Sequence, residues 1–381
     1  MKKIFVSLFL FFFLISGVKA EELAENGEAA LLLEVSTGKV IYEKNADKKL
    51  APASMTKVMS MLLIMEAIDS GKLSFDDDVV ISDTASSMGG SQIFLQTGEK
   101  YKVQELLKGI AIASGNDAVV AMAEKVNGSV SAFVEAMNNK ATSLGLKNTH
   151  FDNPHGLESE NHYTTARDMS IMARELLKHE KILEFTSIYE DYLKKPDGSS
   201  VWLVNTNRLV RFYEGVDGLK TGFTNQAGYC ITTTAKKGDM RLLSVVMNAE
   251  TSDLRSKDTV NMLNYGFNTY KLDILIPKDK DLGEQKIEKG NITSTKLYIE
   301  QDVTILSKVT DDKEEFTYNL VTDDLKAPIL SGEVVGSLEV VDKNGNIVKE
   351  VDVVVKEEIK KASILDLFVS VFNTITSGNP I

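Results

Sequence analysis

Two short β-prone runs lie near the start of the chain, at residues 29–35 and 39–43, and three more lie far downstream, at 219–224, 229–235 and 241–248. Between the two groups stands a long block with helical spacing, and a further helical pattern over 258–270 follows the last strand. This segregation points to an α+β domain. Its strands form one antiparallel sheet whose edges come from both ends of the domain, and its helices pack against that sheet. Ser36-Thr37-Gly38 lies between the first two runs and reads as a hairpin turn. In the helical block, one pattern runs from about 54 to 69 and stops before Gly71. A second runs from 103 to 126 and is broken at Ser114-Gly115-Asn116. A third runs from 164 to 179, with Thr165 at its start and Arg167 and Asp168 in its first turn.

The flanks have a different character. Lys2 and Lys3, the apolar run 4–17 and the small residues Val18 and Ala20 have the three-part layout of a secretory signal peptide over residues 1–20. The whole chain has 43 basic and 55 acidic side chains. Removing 1–20 takes away three lysines and no acid, so the remainder carries 40 and 55, or −15. No basic patch suggests nucleic acid. The single cysteine, Cys230, lies on a strand-like run and reads as a small buried hydrophobe rather than a nucleophile. After residues 21–272, the segment 273–355 holds short alternating runs and the turn signal Asp342-Lys-Asn-Gly345, which reads as a small all-β domain. In the final segment, 356–381, Ile364, Leu365, Phe368, Val371, Phe372 and Ile375 recur at helical spacing behind Lys356, Lys360 and Lys361. That is an amphipathic helix too short and polar to span a bilayer, and it reads as an interfacial membrane anchor.

A serine hydroxyl needs a base to become a nucleophile, and a neutral lysine one helical turn away is one solution. Beyond residues 1–20, Ser-x-x-Lys occurs twice, at Ser36–Lys39 and Ser54–Lys57. The first contains the hairpin glycine, so its two side chains would not share a helix face. The second precedes the apolar run Val58-Met-Ser-Met-Leu-Leu-Ile-Met65, so Lys57 can reach Ser54 and be depressed in pKa by burial. Ser114 and Asn116, at the break between two helical patterns, supply a hydroxyl and a carboxamide. Ser-x-Asn also occurs at 159–161 and 377–379. Lys220-Thr221-Gly222 is the only such string and lies on a strand-like run, where Lys220 and Gly222 share a face. Gly222 permits close approach of a substrate to the backbone. The Lys220 charge suits an anionic substrate or a developing oxyanion.

In this order and context, the three elements form the set known from β-lactamases and penicillin-binding proteins, with Gly115 where many members have aspartate. That variant resembles the low-molecular-mass penicillin-binding proteins, the serine-type D-alanyl-D-alanine carboxypeptidases. The segments 36–45, 52–57, 113–118, 153–157, 165–168 and 216–222 also resemble that family, and the likeness covers roughly 28–355.

The resemblance implies a β-lactamase/transpeptidase-like fold followed by the small β domain. It implies that Ser54 forms an acyl-enzyme with Lys57 as general base, and that Ser114 and Asn116 pass protons and orient the peptide. Lys220 and Thr221 would meet the substrate carboxylate, and the N–H groups of Ser54 and Phe223 would form the oxyanion hole. Some members have histidine where this chain has Phe223. Arg255 matches a carboxylate-holding arginine through a looser local motif. The implied partners are peptidoglycan stem peptides ending in D-Ala-D-Ala and, as covalent inhibitors, β-lactams. No cofactor is implied. The expected location is the outer face of the cytoplasmic membrane or the cell wall.

The four histidines, His150, His155, His162 and His179, show no metal-ligand spacing, and His155 reads as shaping a loop. Asp76-Asp77-Asp78 lacks the alternation of a calcium loop. A β-lactamase is the nearest alternative activity, but no Glu-x-x-Leu-Asn segment stands between Ser114 and Lys220. A non-catalytic wall-binding protein is the other alternative, against which the intact Ser54, Lys57 and Lys220 argue.

Overall fold

The computed structural model describes residues 22–312 and 314–364. The signal peptide expected at 1–20 lies outside them. So does the amphipathic tail, apart from its first residues, Ser363 and Ile364.

Five antiparallel strands form the central sheet in the spatial order Val40–Lys44, Ala29–Glu34, Met240–Ala249, Gly228–Lys237, Val216–Thr224. The edges do come from the two ends of the domain, the N-terminal hairpin at one and the lysine-threonine-glycine strand at the other. Ala29–Glu34 is buried at every position. The sheet is covered on both sides, so this strand is apolar from Ala29 to Leu33 instead of alternating, with Glu34 the polar residue at its end. Leu31 and Leu33 face the helical block, while Ala30 and Leu32 face the helix Ser252–Thr269.

Helix Lys57–Asp69 is apolar almost all round and buried along most of its length, as the central rod of a cluster must be. Asn116–Asn127, Val130–Ser143 and Ala166–Leu177 pack on it, and Val103–Ala113 packs on Asn116–Asn127. Thr165 caps Ala166–Leu177 by accepting the Asp168 N–H at 3.0 Å.

Two helix starts differ from the sequence pattern. The helix expected from Ser54 begins at Lys57, and Ala53–Thr56 is a separate 3-10 turn. Ala53 has φ +47°, which no α-helical residue can have. The helix expected from 258 begins at Ser252, because the Thr251 hydroxyl accepts the Leu254 N–H and caps it there.

Beyond Thr269, strand Tyr270–Ile276 pairs with Val303–Lys308. A four-stranded sheet of Tyr298–Ile299, Ile347–Val354, Val334–Val341 and Thr317–Thr322 adds its own apolar core, including Ile299, Val340 and Val353. Among the described residues no helix is long and apolar enough to cross a membrane.

Candidate active site

The site lies where the 3-10 turn meets the edge strand. With three residues per turn, a 3-10 turn places i and i+3 directly above one another. Lys57 Nζ therefore lies 3.0 Å from Ser54 Oγ. It also lies 2.7 Å from Asn116 Oδ1 and 2.9 Å from the His155 carbonyl oxygen. Lys57 is fully buried, and burial, reinforced by the nearby Lys220 charge, holds its pKa well below the ordinary lysine value. A neutral lysine amine has two N–H donors and one lone pair. Asn116 and His155 take the donors, which leaves the lone pair aimed at the Ser54 hydroxyl. That is the arrangement a general base requires.

The competing serine is excluded by its contacts. Ser36 donates its N–H and its hydroxyl to the Glu34 carboxylate, which Thr37 also meets through its N–H and hydroxyl. Ser36 Oγ lies 3.0 Å from Thr304 Oγ1 as well. Its hydroxyl is committed to holding a turn.

Ser114 and Asn116 flank the helix break as expected. Ser114 sits in the left-handed region at φ +63°, a conformation that costs a non-glycine residue on the order of 1–3 kcal/mol. Its buried Oγ is without a hydrogen-bond partner among the described residues. Strain together with an unpaired hydroxyl marks a group held for a reacting molecule rather than for the fold.

Asn116 donates Nδ2–H to the Gly89 carbonyl at 2.7 Å, so its amide orientation is set and Oδ1 is left to face Lys57. The neighbouring Asp117 accepts the N–H groups of Ile93 and Leu95, tying the cleft-lining loop to the helix start.

Gly222 faces the backbone at Ser54. A Cβ there would stand 2.9 Å from both Ser54 N and Pro52 O. Only glycine lets the strand come this close, and the approach brings Gly222 and Phe223 beside Ser54 on one wall. A cleft of about 470 Å³ results, lined by Ser54, Ser114, Thr221, Gly222, Phe223 and Arg255. Thr221 donates its hydroxyl to Thr206 Oγ1 at 2.7 Å. Phe223 is half exposed and packs on Tyr229 with ring centroids 4.3 Å apart.

Lys220 is buried beneath the cleft floor and donates to the Thr221 carbonyl at 2.9 Å. Burial first, and the Arg255 charge second, bring its pKa down to about 7. Arg255 is buried with its Nε unpartnered among the described residues and only its Nη1 engaged, by the Cys230 carbonyl at 3.3 Å. Burial lowers its pKa to about 10, so it stays charged at neutral pH. The cleft thus ends in a desolvated cationic corner suited to a carboxylate. Among the described residues, no group of three His, Cys, Asp or Glu side chains is arranged to hold a metal ion.

Sequence reasoning brought together Ser54, Lys57, Ser114, Asn116 and Lys220, and Arg255 does line the same cleft as Ser54. It missed Arg208, Ser91 and Thr206 on the cleft wall, the structural tie of Asp117 and the carbonyl of His155. No local pattern marks a backbone carbonyl as a partner of a side chain 98 residues away.

Comparison with known proteins agrees with this geometry. A family model described as D-alanyl-D-alanine carboxypeptidase matches residues 17–251, and the penicillin-binding protein 5 C-terminal domain matches 270–361. The chain is 49% identical over 350 residues to D-alanyl-D-alanine carboxypeptidase DacF of Bacillus subtilis (strain 168), covering 92% of this chain and 90% of that protein. It is 33% identical to DacC of Escherichia coli (strain K12), covering 93% and 90%. Penicillin-binding protein 5 from Haemophilus influenzae superposes with a TM-score of 0.70 at 30% identity, over 88% of this chain and 98% of that one. Penicillin-binding protein D2 from Listeria monocytogenes, solved in an ampicillin-bound form, superposes with a TM-score of 0.57 at 32% identity, over 64% and 98%. The chain belongs to the D-alanyl-D-alanine carboxypeptidase family of serine peptidases.

Proposed function

We propose that this chain performs its family's reaction through Ser54, removing the terminal D-alanine from peptidoglycan stem pentapeptides. Lys57 takes the Ser54 proton as Oγ attacks the carbonyl between the two D-alanines. The tetrahedral oxyanion rests on the N–H groups of Ser54 and Phe223. The Ser114 hydroxyl relays the proton from Lys57 to the departing amine while Asn116 orients Lys57, and D-alanine leaves with its new N–H. Water then adds to the ester, giving a proton to Lys57, which returns it to Ser54 Oγ as the ester bond breaks and the shortened peptide leaves. Lys220, Thr221 and Arg255 hold the terminal carboxylate. β-Lactams, which carry a strained amide and a carboxylate, acylate the same oxygen. The observation that carries this reading is the buried, pKa-depressed Lys57 amine at 3.0 Å from Ser54 Oγ, oriented by Asn116 and His155. Incubation with a pentapeptide ending in D-Ala-D-Ala is expected to release free D-alanine. Folded protein that released none would overturn the assignment.

The pH profile follows from the two lysines. Lys57 must be neutral to act as base, so acylation at saturation falls as pH drops through its depressed pKa. Lys220 must be charged to attract a carboxylate. Its pKa of about 7 in the free protein makes it lose charge above that point, so KM is expected to rise from about pH 7 upward. The check is kcat and KM for the pentapeptide at about pH 6 to 9. A KM flat across that range would overturn this account of the pH profile.

The same reading places the protein outside the cytoplasmic membrane, where peptidoglycan lies, with the amphipathic segment from Ser363 onward resting in the lipid interface. The helical spacing of its apolar residues behind Lys356, Lys360 and Lys361 supports this. Deleting 363–381 is expected to move the protein from the membrane fraction to the soluble fraction with its penicillin uptake intact. Equal membrane retention without the tail would dismiss the anchor.

A further inference from the structure

His162 lies outside every motif that marks the site, yet it is tied to the backbone of the nucleophile. Its ring is buried and meets the edge of Phe151, with centroids 5.7 Å apart. Nδ1 accepts the Asp152 N–H at 3.1 Å, so that nitrogen carries no proton. The neutral ring therefore bears its hydrogen on Nε2, which lies 2.7 Å from Thr56 Oγ1 and donates to it. Burial, the leading cause, brings the ring's pKa down to about 4, and the neutral tautomer is the working form. Thr56 Oγ1 in turn donates to the Ala53 carbonyl at 2.8 Å. A continuous directed chain thus runs from the Asp152 N–H through His162 and Thr56 to Ala53 O.

Ala53 O and the Ser54 N–H belong to one peptide unit. In a trans planar peptide, the direction of C=O fixes the opposite direction of N–H. Ala53 is a non-glycine residue at φ +47°, a conformation that needs outside support. Gly156 closes over the same carbonyl, where a Cβ would come within 1.9 Å of Ala53 O. The far side of this peptide faces Gly222 across 2.9 Å of would-be side-chain space.

We propose that His162, acting through Thr56, is a positioning residue that aims the Ser54 N–H at the oxyanion. The proposal rests on Ser54 being the acylated nucleophile. Oxyanion stabilisation depends on donors already fixed where charge develops, so a small rotation of this peptide weakens acylation without altering ground-state binding.

The test compares wild type with His162→Phe, His162→Gln and Thr56→Val by stopped-flow acylation with a fluorescent penicillin. It separates the limiting acylation rate from the non-covalent dissociation constant, with thermal unfolding run in parallel. His162→Phe and Thr56→Val are expected to lower the limiting rate about 10- to 30-fold, part of the loss seen on removing an oxyanion donor outright. The dissociation constant should stay within about 2-fold of wild type. His162→Gln can both accept from Asp152 and donate to Thr56, and is expected to recover the rate to within about 3-fold. Wild-type rates in His162→Phe and Thr56→Val overturn the relay, as does a glutamine variant no better than phenylalanine. If His162→Phe does not fold, the near-isosteric Thr56→Val decides alone. A wild type that takes up no penicillin refutes the reading of Ser54 instead, so the two failures are distinguishable.

Discussion

Replacing Ser54 by alanine is expected to abolish covalent uptake of fluorescent penicillin and to lower D-alanine release on the order of 10⁶-fold in kcat, the scale seen when a serine hydrolase loses its nucleophile. The fold should survive. Ser54 is only half-buried, and its turn is held by other groups, namely Thr56 on the Ala53 carbonyl and the Met55 N–H on the Pro52 carbonyl. A thermal midpoint within a few degrees of wild type would establish that chemistry and not folding was lost. Labelling that persisted in the alanine variant would move the nucleophile elsewhere. Ser36 could not take its place, because its hydroxyl is committed to Glu34 and Thr304.

Lys57→Arg and Lys57→Met form the second test, with acylation expected to fall about 10²- to 10⁴-fold in each, the usual range for a general base. The two separate charge from basicity. Arginine fixes a cation one turn from Ser54 and cannot deprotonate in a protein, so it supplies charge without a base. Methionine matches the length of the buried stem and supplies neither. It leaves Asn116 Oδ1 and the His155 carbonyl without their donor, at a cost of about 1–3 kcal/mol, against which stands the relief of no longer burying an amine. Near-wild-type acylation in Lys57→Met would remove Lys57 from the role of base, whatever its distance from Ser54.

Much of the catalytic sheet is legible in the sequence, because its central strands carry apolar stretches, 29–33 and most of 242–247, and its outer ones carry short β-prone runs bounded by turn residues. The end of the first helical-block pattern near Gly71 and the break at Ser114 were equally legible, as turn and cap residues act locally. The helix start at Lys57 was not. Ala53 takes a left-handed conformation, and what surrounds its carbonyl beyond Thr56, namely His162 behind that hydroxyl and the close cover of Gly156, comes from distant parts of the chain. His162 and Asp117 carry no local signal for the same reason. Each acts on backbone groups far away in the chain, and neither has a spacing that announces the contact.

The three-residue step from Ser54 to Lys57, the helix break carrying Ser114 and Asn116, and the strand carrying Lys220 and Gly222 are properties of local chain geometry, so they were settled at the level of residue order. The choice of Ser54–Lys57 over Ser36–Lys39 as the candidate pair was narrowed by the same reasoning, since the turn glycine of the latter string keeps its two side chains off a shared helix face. Tertiary structure decided the rest. Desolvation of Lys57 and Lys220, the committed hydroxyl of Ser36, the unpaired Ser114 oxygen and the placing of Arg255 in the cleft all depend on what packs around each group. A pKa or an orientation is set by the surroundings in three dimensions, and those surroundings come from segments tens to hundreds of residues apart.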